Sequence, residues 1–319
     1  MINRRRFLMS LALLSALTSL NACRDTEPLN VGIHPWIGYE SLYLSRDFDW
    51  FPKTVKFQDN SNASQSLEGL RRGDLDVACL TLDEMLRARS EGIPLTAILV
   101  FDVSAGADVV LAKPEIKTIQ SLKGKRIAVE NTAVAALMLN KILKISGLSI
   151  DELTIVDSPI DSQLALWKNN QIDAAVSYNP MANLLEREGG SRIFDSRKIP
   201  NTILDVLAVR QDVSRDKQKA IKALVKGHFM GLAHIQIHRQ DAIYRIAKHQ
   251  QLSADEIKDA LSGVILPTLE ANRHYLNPGN SRLTTIADSV SNVLVEAGLL
   301  DKDDSLEKLS DNRYLPIKF

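Results

Sequence analysis

The chain has 319 residues, with 39 Lys and Arg balancing 39 Asp and Glu, so its formal net charge at pH 7 is +0. That balance leaves no electrostatic footprint for a nucleic-acid partner, and two cysteines are too few for a disulfide-dense scaffold. The length exceeds what one small core needs and points to two lobes or one large domain.

In chain order, the first segment has three zones: a positive start at Arg4, Arg5 and Arg6, an apolar run from Phe7 to Leu20, and the closing Leu20-Asn21-Ala22-Cys23. The run is short for a permanent membrane span and fits an export signal. The segment resembles a bacterial lipoprotein signal with its lipobox. That resemblance implies removal of residues 1–22, a lipid on Cys23, and an exported protein held on the periplasmic side of a bacterial membrane. An ordinary signal with an incidental Cys23 is the competing reading. Arg4-Arg5-Arg6-Phe7-Leu8 also resembles the twin-arginine pattern, so the export route stays open, as does inner or outer membrane with Arg24 after the cysteine. With Cys23 acylated, Cys79 in its apolar run has no disulfide partner, and no second stretch is long enough to cross a membrane.

Beyond the signal, β-branched runs alternate with helical stretches, which predicts an α/β fold. Strands are predicted at 29–33, 54–58, 76–80, 96–101, 109–112, 126–130, 153–157, 173–177 and 204–210. From about Ser214 helical periodicity takes over, through Gln236, then over 240–250, 253–261 and 281–297. Ser253 and Glu256 have the form of a capping box. No strand-to-helix junction carries a phosphate-binding glycine loop, which argues against a nucleotide.

An internal similarity organises the chain. Leu67, Leu70, Arg71, Leu75, Asp76, Val77 and Ala78 find counterparts in Leu164, Trp167, Lys168, Ile172, Asp173, Ala174 and Ala175, and at the same offset Val31 meets Ala128. Two lobes of like construction follow, and their facing strand ends define a cleft that can close on a ligand. In this frame Asp76 and Asp173 brace their turns and Trp167 is core.

Several segments then resemble a known family in their order. They are Trp36-Ile37-Gly38-Tyr39-Glu40 with Leu42-Tyr43-Leu44-Ser45-Arg46, Gly73-Asp74-Leu75-Asp76-Val77-Ala78, Thr81-Leu82-Asp83-Glu84, Asp102 to Asp108, Ser121 to Arg126, Tyr178-Asn179-Pro180 and Ile199-Pro200. The chain is similar to the type II periplasmic solute-binding proteins of ABC importers, in the NMT1/THI5-like group that takes sulfonates, taurine, nitrate and thiamine-pyrimidine precursors. The resemblance implies a two-lobed fold with a hinge and a helical C-terminal segment. Lobe one would be residues 24–103 plus 205–319 and lobe two 104–204. It implies ligand contacts from Trp36, Gly38, Tyr39, Ser61, Asn62, Thr81, Asp83, Ser104, Asp108, Asn131, Thr132, Tyr178 and Asn179, with no catalytic residue, metal or cofactor. The partners are then a small solute, an ABC permease and, through Cys23, a lipid bilayer, with the protein a monomer.

The chemistry of those residues is compatible with such a role. Trp36 and Tyr178 can flank an apolar or cationic group, and helix starts at Asn62 and Thr132 can hold an anion. Where many relatives carry Trp-Glu-Pro this chain has Tyr178-Asn179-Pro180; Glu40, Asp83, Asp108 or Asp205 could replace the missing acid. His234 and His238 lie four apart but lack a third ligand, and read as a solvated helix face; His34 beside Pro35 could touch ligand or serve as a turn residue. The same fold could instead serve a periplasmic sensor that reports to a membrane receptor. An iron-dependent pyrimidine synthase would need more cysteines than Cys79.

Overall fold

The computed structural model describes residues 27–130, 133–278, 281–296, 298–300 and 305–319. The export signal, Cys23, Asn131 and Thr132 lie outside them. Strands β1 (Leu29–Ile33), β2 (Val55–Asp59), β3 (Val77–Thr81), β4 (Leu95–Ser104), β10 (Leu204–Arg210) and β11 (Val264–Ile265) form one sheet, in the order β11-β4-β10-β3-β1-β2. Strands β5 (Val109–Ala112), β6 (Arg126–Val129), β7 (Thr154–Asp157), β8 (Ala174–Ser177) and β9 (Ser191–Asp195) form a second, in the order β7-β6-β8-β5-β9. The α/β class and the two-lobed architecture are as the sequence predicts.

Read from its other edge, the second sheet repeats the first. β9-β5-β8-β6-β7 overlays β4-β10-β3-β1-β2 with the same alternation of antiparallel and parallel pairs. The two aspartates of the internal repeat explain why. Asp76 accepts the backbone N–H of Asn30 at 2.8 Å and Asp173 that of Arg126 at 2.9 Å, and each pins the start of a central strand to its neighbour. Asp76 also holds Lys217 at 2.7 Å, and Asp173 holds the Arg126 guanidinium at 2.7 Å. The pinned residues are 46 apart in the first half and 47 in the second. Val31 therefore corresponds to Ile127, one residue short of the Ala128 expected at constant offset.

Local chemistry sets the helix ends. In α1 (Glu40–Asp47) buried Leu42 and Leu44 face a core shared with the long α7 (Gln218–Ile237) and α8 (Arg239–Gln250). Asn62 caps α2 (Ala63–Arg72), whose far end stops at Gly73 with φ 78°, a left-handed backbone that glycine adopts without strain. α3 (Leu82–Ser90) opens on a capping box between Thr81 and Glu84. In the second lobe lie α4 (Ala133–Ser146), α5 (Gln163–Lys168) and α6 (Met181–Arg187). α9 (Ala254–Ser262) opens on the capping box of Ser253 and Glu256, and α10 (Leu269–Tyr275) and α11 (Arg282–Glu296) follow.

The largest apolar core is continuous across the two sheets. Leu82 and Met85 of α3, Leu137 and Met138 of α4, and Leu283 and Ala287 of α11 belong to it together. Strand β9, the two-residue β11 and helix α10 escape the sequence pattern. β9 is a half-exposed edge strand without clean alternation, and the other two are too short for a period to show. Among the described residues no helix is long and apolar enough to cross a membrane.

Candidate functional site

The chain passes between the sheets twice, from β4 to β5 and from β9 to β10, and the two crossings are tied side by side. Ser104 Oγ and Ser196 Oγ are 2.7 Å apart, Gly106 N donates to Ser196 Oγ at 2.7 Å, and Ser104 N donates to Ile203 O at 3.0 Å. Sequence patterning gave no sign of Ser196, a short polar residue at an edge-strand exit.

Above the crossings, loops after the central strands of both sheets meet around a cavity of ≈ 30 Å³. That volume holds two or three waters at roughly 10–15 Å³ each, so a larger solute must part its walls. His34, Trp36, Ala63, Thr81, Glu84 and Asp205 line it from the first sheet, and Asp108, Glu130, Val134, Tyr178 and Ile203 from the second sheet and the crossings. The Trp36 and Tyr178 rings meet edge to face, with centroids 5.5 Å apart, so an aromatic contact joins the two sides. Of the residues expected from sequence, Trp36, Thr81, Asp108 and Tyr178 reach the cavity wall.

The others sit behind or beside it. Gly38 underlies the Trp36–Asp102 contact; a Cβ there would stand 1.7 Å from Asp102 Oδ2. Tyr39 is fully buried and donates its hydroxyl to Asp205 Oδ1 at 2.5 Å. Ser61 is exposed, Asn62 Oδ1 accepts Gln65 N–H at 3.1 Å, and Ser104 belongs to the crossing. Asp83 is buried beside Glu84, and burial raises its carboxyl to about 6. Asn179 is buried at a cis bond to Pro180. Among the acids considered as replacements, Glu40 is turned away into the first lobe, where His249 Nδ1 lies 2.8 Å from it.

Carboxyl groups dominate the wall. Burial raises Glu84 to about 8, with the neighbouring charge of Asp83 adding to the effect, and raises Asp108 and Glu130 each to about 7. Asp102, on the strand beside Asp205, is raised by burial to about 7 and accepts the Trp36 indole N–H at 3.0 Å. Asp205 lies well above the carboxylate range, through burial and then the charge of Asp102. Tyr39 donates to Asp205 Oδ1 and Trp36 to Asp102 Oδ2, which leaves Asp102 Oδ1 and Asp205 Oδ2 without a donor. His34, the one histidine on the wall, is lowered by burial to about 4 and is neutral at pH 7.

Away from the cavity, His234 Nε2 meets Asp241 at 2.7 Å and its ring lies 4.9 Å from that of His238. Among the described residues no three His, Cys, Asp or Glu side chains are grouped to hold a metal ion.

Residues 41–242 match the sequence profile of the NMT1/THI5-like family. The taurine-binding periplasmic protein of Escherichia coli K12 is 26% identical over 176 residues, which is 54% of this chain and 55% of that protein. The chain thus spans about half the length of that relative. The alkanesulfonate-binding protein of Xanthomonas axonopodis pv. citri, solved with MOPS bound, shares the fold with a TM-score of 0.71 at 18% identity, covering 86% of this chain and 96% of that one. The desulfurization enzyme DSZB shares it too, with a TM-score of 0.62 at 13% identity over 91% and 97% of the two chains. The fold alone therefore does not separate binding from catalysis.

Proposed function

Because the chain belongs to the NMT1/THI5-like family, whose profile matches residues 41–242, we propose that it captures a small polar solute between two lobes and delivers it to an ABC importer. The observation that carries this reading is the cavity lined from both sheets and joined across by Trp36 and Tyr178. In the proposed cycle the lobes, residues 24–103 with 205–319 and residues 104–204, part about the paired crossings, admit solute and shut on it. The shut form then docks on the permease, and no bond is made or broken. Trp36, Thr81, Asp108 and Tyr178 touch the solute, joined by His34, Glu84, Glu130 and Asp205. Gly38, Tyr39 and Ser104 act from behind, by holding the wall and the hinge.

The relatives with binding roles are named for sulfonates and taurine, and small organic solutes of that size are the first candidates. Differential scanning fluorimetry across a panel of sulfonates, amines, nitrate and pyrimidines should find at least one solute that raises the melting temperature in a saturable way. Small-angle scattering should show the particle contracting with the same solute, and a panel with neither effect sinks the proposal. We place the protein on the periplasmic side, tethered through a lipid on Cys23. Detergent partitioning of Cys23→Ser tests the tether: a variant that still partitions with the membrane excludes it.

A further inference from the structure

Building on solute capture, we propose that the solute is an organic cation whose protonated amine or amidine is held among Glu84, Asp108 and Glu130. Among the described residues the wall carries four carboxyl side chains, contributed from both sides, and no Lys or Arg. Three of these groups have a specific deficit. Asp108 Oδ2, Glu130 Oε1 and Asp205 Oδ2 make no hydrogen bond, although the residues are only 4%, 5% and 2% exposed. A buried carboxyl oxygen without a donor is costly, and the N–H groups of an ammonium or amidinium supply both the donor and the opposite charge. Asp205 already takes the Tyr39 hydroxyl on its other oxygen, and Asp102 behind it takes the Trp36 indole, so the open oxygen of Asp205 is a further acceptor for the same cation.

An anionic head finds little on the first lobe. The Gln65 N–H at the start of α2 is taken by Asn62, and the Glu84 N–H at the start of α3 by Thr81. The Glu84 carboxyl also accepts Thr81 N–H at 3.0 Å, placing an acid where an oxyanion would otherwise gain from the helix dipole. The bodies of Trp36 and Tyr178 add aromatic surface, which favours a cation over an anion. The carboxyls do not converge on a point: no three of the acid, His or Cys side chains among the described residues could share a metal ion. An extended organic cation fits that spread better than an inorganic one. Burial raises Glu84, Asp108 and Glu130 for want of a counter-charge, and a bound cation would reverse that shift.

Isothermal titration at pH 7 with ethanolamine, taurine, isethionate and agmatine separates the possibilities. The first three share a two-carbon frame and differ only in carrying an ammonium, both charges, or a sulfonate. Ethanolamine or agmatine should bind with release of protons, seen as heat that varies with the buffer, and isethionate should give none. Glu130→Gln and Asp108→Asn should each weaken the amine about tenfold or more without lowering the melting temperature, because each removes a buried acid and keeps its shape. Isethionate or taurine binding more tightly than both amines overturns the cation and leaves solute capture standing. If none of the four binds and scattering shows no contraction with any member of the wider panel, both readings fall.

Discussion

A Cβ built on Gly38 would stand 1.7 Å from Asp102 Oδ2 and 2.6 Å from the Trp36 indole nitrogen. Relieving that overlap moves the carboxyl or the indole and breaks the buried hydrogen bond between them. Gly38→Ala should therefore cost about 1–3 kcal/mol of stability, the usual range for overpacking, measured as a lower urea midpoint. A change within about 0.5 kcal/mol would mean that the loop is not held by this contact. Tyr39→Phe is the milder companion: it leaves buried Asp205 without its hydroxyl donor and should cost about 1–3 kcal/mol. At this scale the sequence was partly readable. A loop tryptophan after β1 and a tyrosine after β8, the counterpart of β3, both carry position, and both line the cavity. Glu84 and Glu130 do not announce themselves, because an acid at a helix start or strand end reads as solvated. Their burial on a wall shared by both sheets is visible only in three dimensions.

The paired aspartates at the starts of β3 and β8 hold the same kind of backbone N–H in unequal surroundings. Asp76 and Lys217 have side chains 16% and 11% exposed, whereas Arg126 opposite Asp173 is 41% exposed. The first pair is less screened, and its loss would leave a cation with little water. Asp76→Ala is expected to destabilise by about 2–3 kcal/mol and Asp173→Ala by about 1 kcal/mol; equal losses in matched denaturant curves would refute this ordering. The repeat was legible because each unit needs the same helix, turn, aspartate and small-residue strand. Its register was not, since one extra residue between Arg126 and Asp173 shifts an alignment without disturbing any hydrophobic pattern. β11 shows the other limit: two residues paired to Ser104 and Val103 are chosen by tertiary contact, not by local preference.

The two lobes also meet outside the cavity, where Arg187 of α6 bonds Glu256 of α9 (Nε to Oε1, 2.8 Å) and Arg192 meets Asp259 at 3.0 Å. These are surface pairs, each contributing about 0.2–1 kcal/mol, and in the proposed cycle they break as the lobes part. Replacing both arginines by alanine should speed solute release about two- to tenfold in stopped-flow traces with little change in folding stability; an unaltered rate would show that the pairs do not gate opening. The buried acids add a pH term. Asp83, Glu84, Asp102, Asp108 and Glu130 lie near 6–8 when shut, against about 4 when hydrated. The shut form therefore binds protons more tightly, gains stability as pH falls, and loses it as pH rises through that window. His34, neutral down to about 4, opposes this only in stronger acid. Without added solute the radius of gyration should increase from roughly pH 5 to pH 9; a constant value would exclude the coupling.

Helix α11 packs on α3 from one lobe and on α4 from the other, and Lys144 of α4 reaches Glu296 near its end. Its apolar stripe is part of the core that runs through both lobes. In the proposed cycle, a gape wide enough to peel α4 from that seam would expose Leu283, Ala287 and their neighbours to water, and that cost would set a mechanical stop to the swing. The aperture, and not only the shape of the shut cavity, would then act as a size filter: molecules too broad for the limited swing would be turned away before any carboxyl or ring could test them.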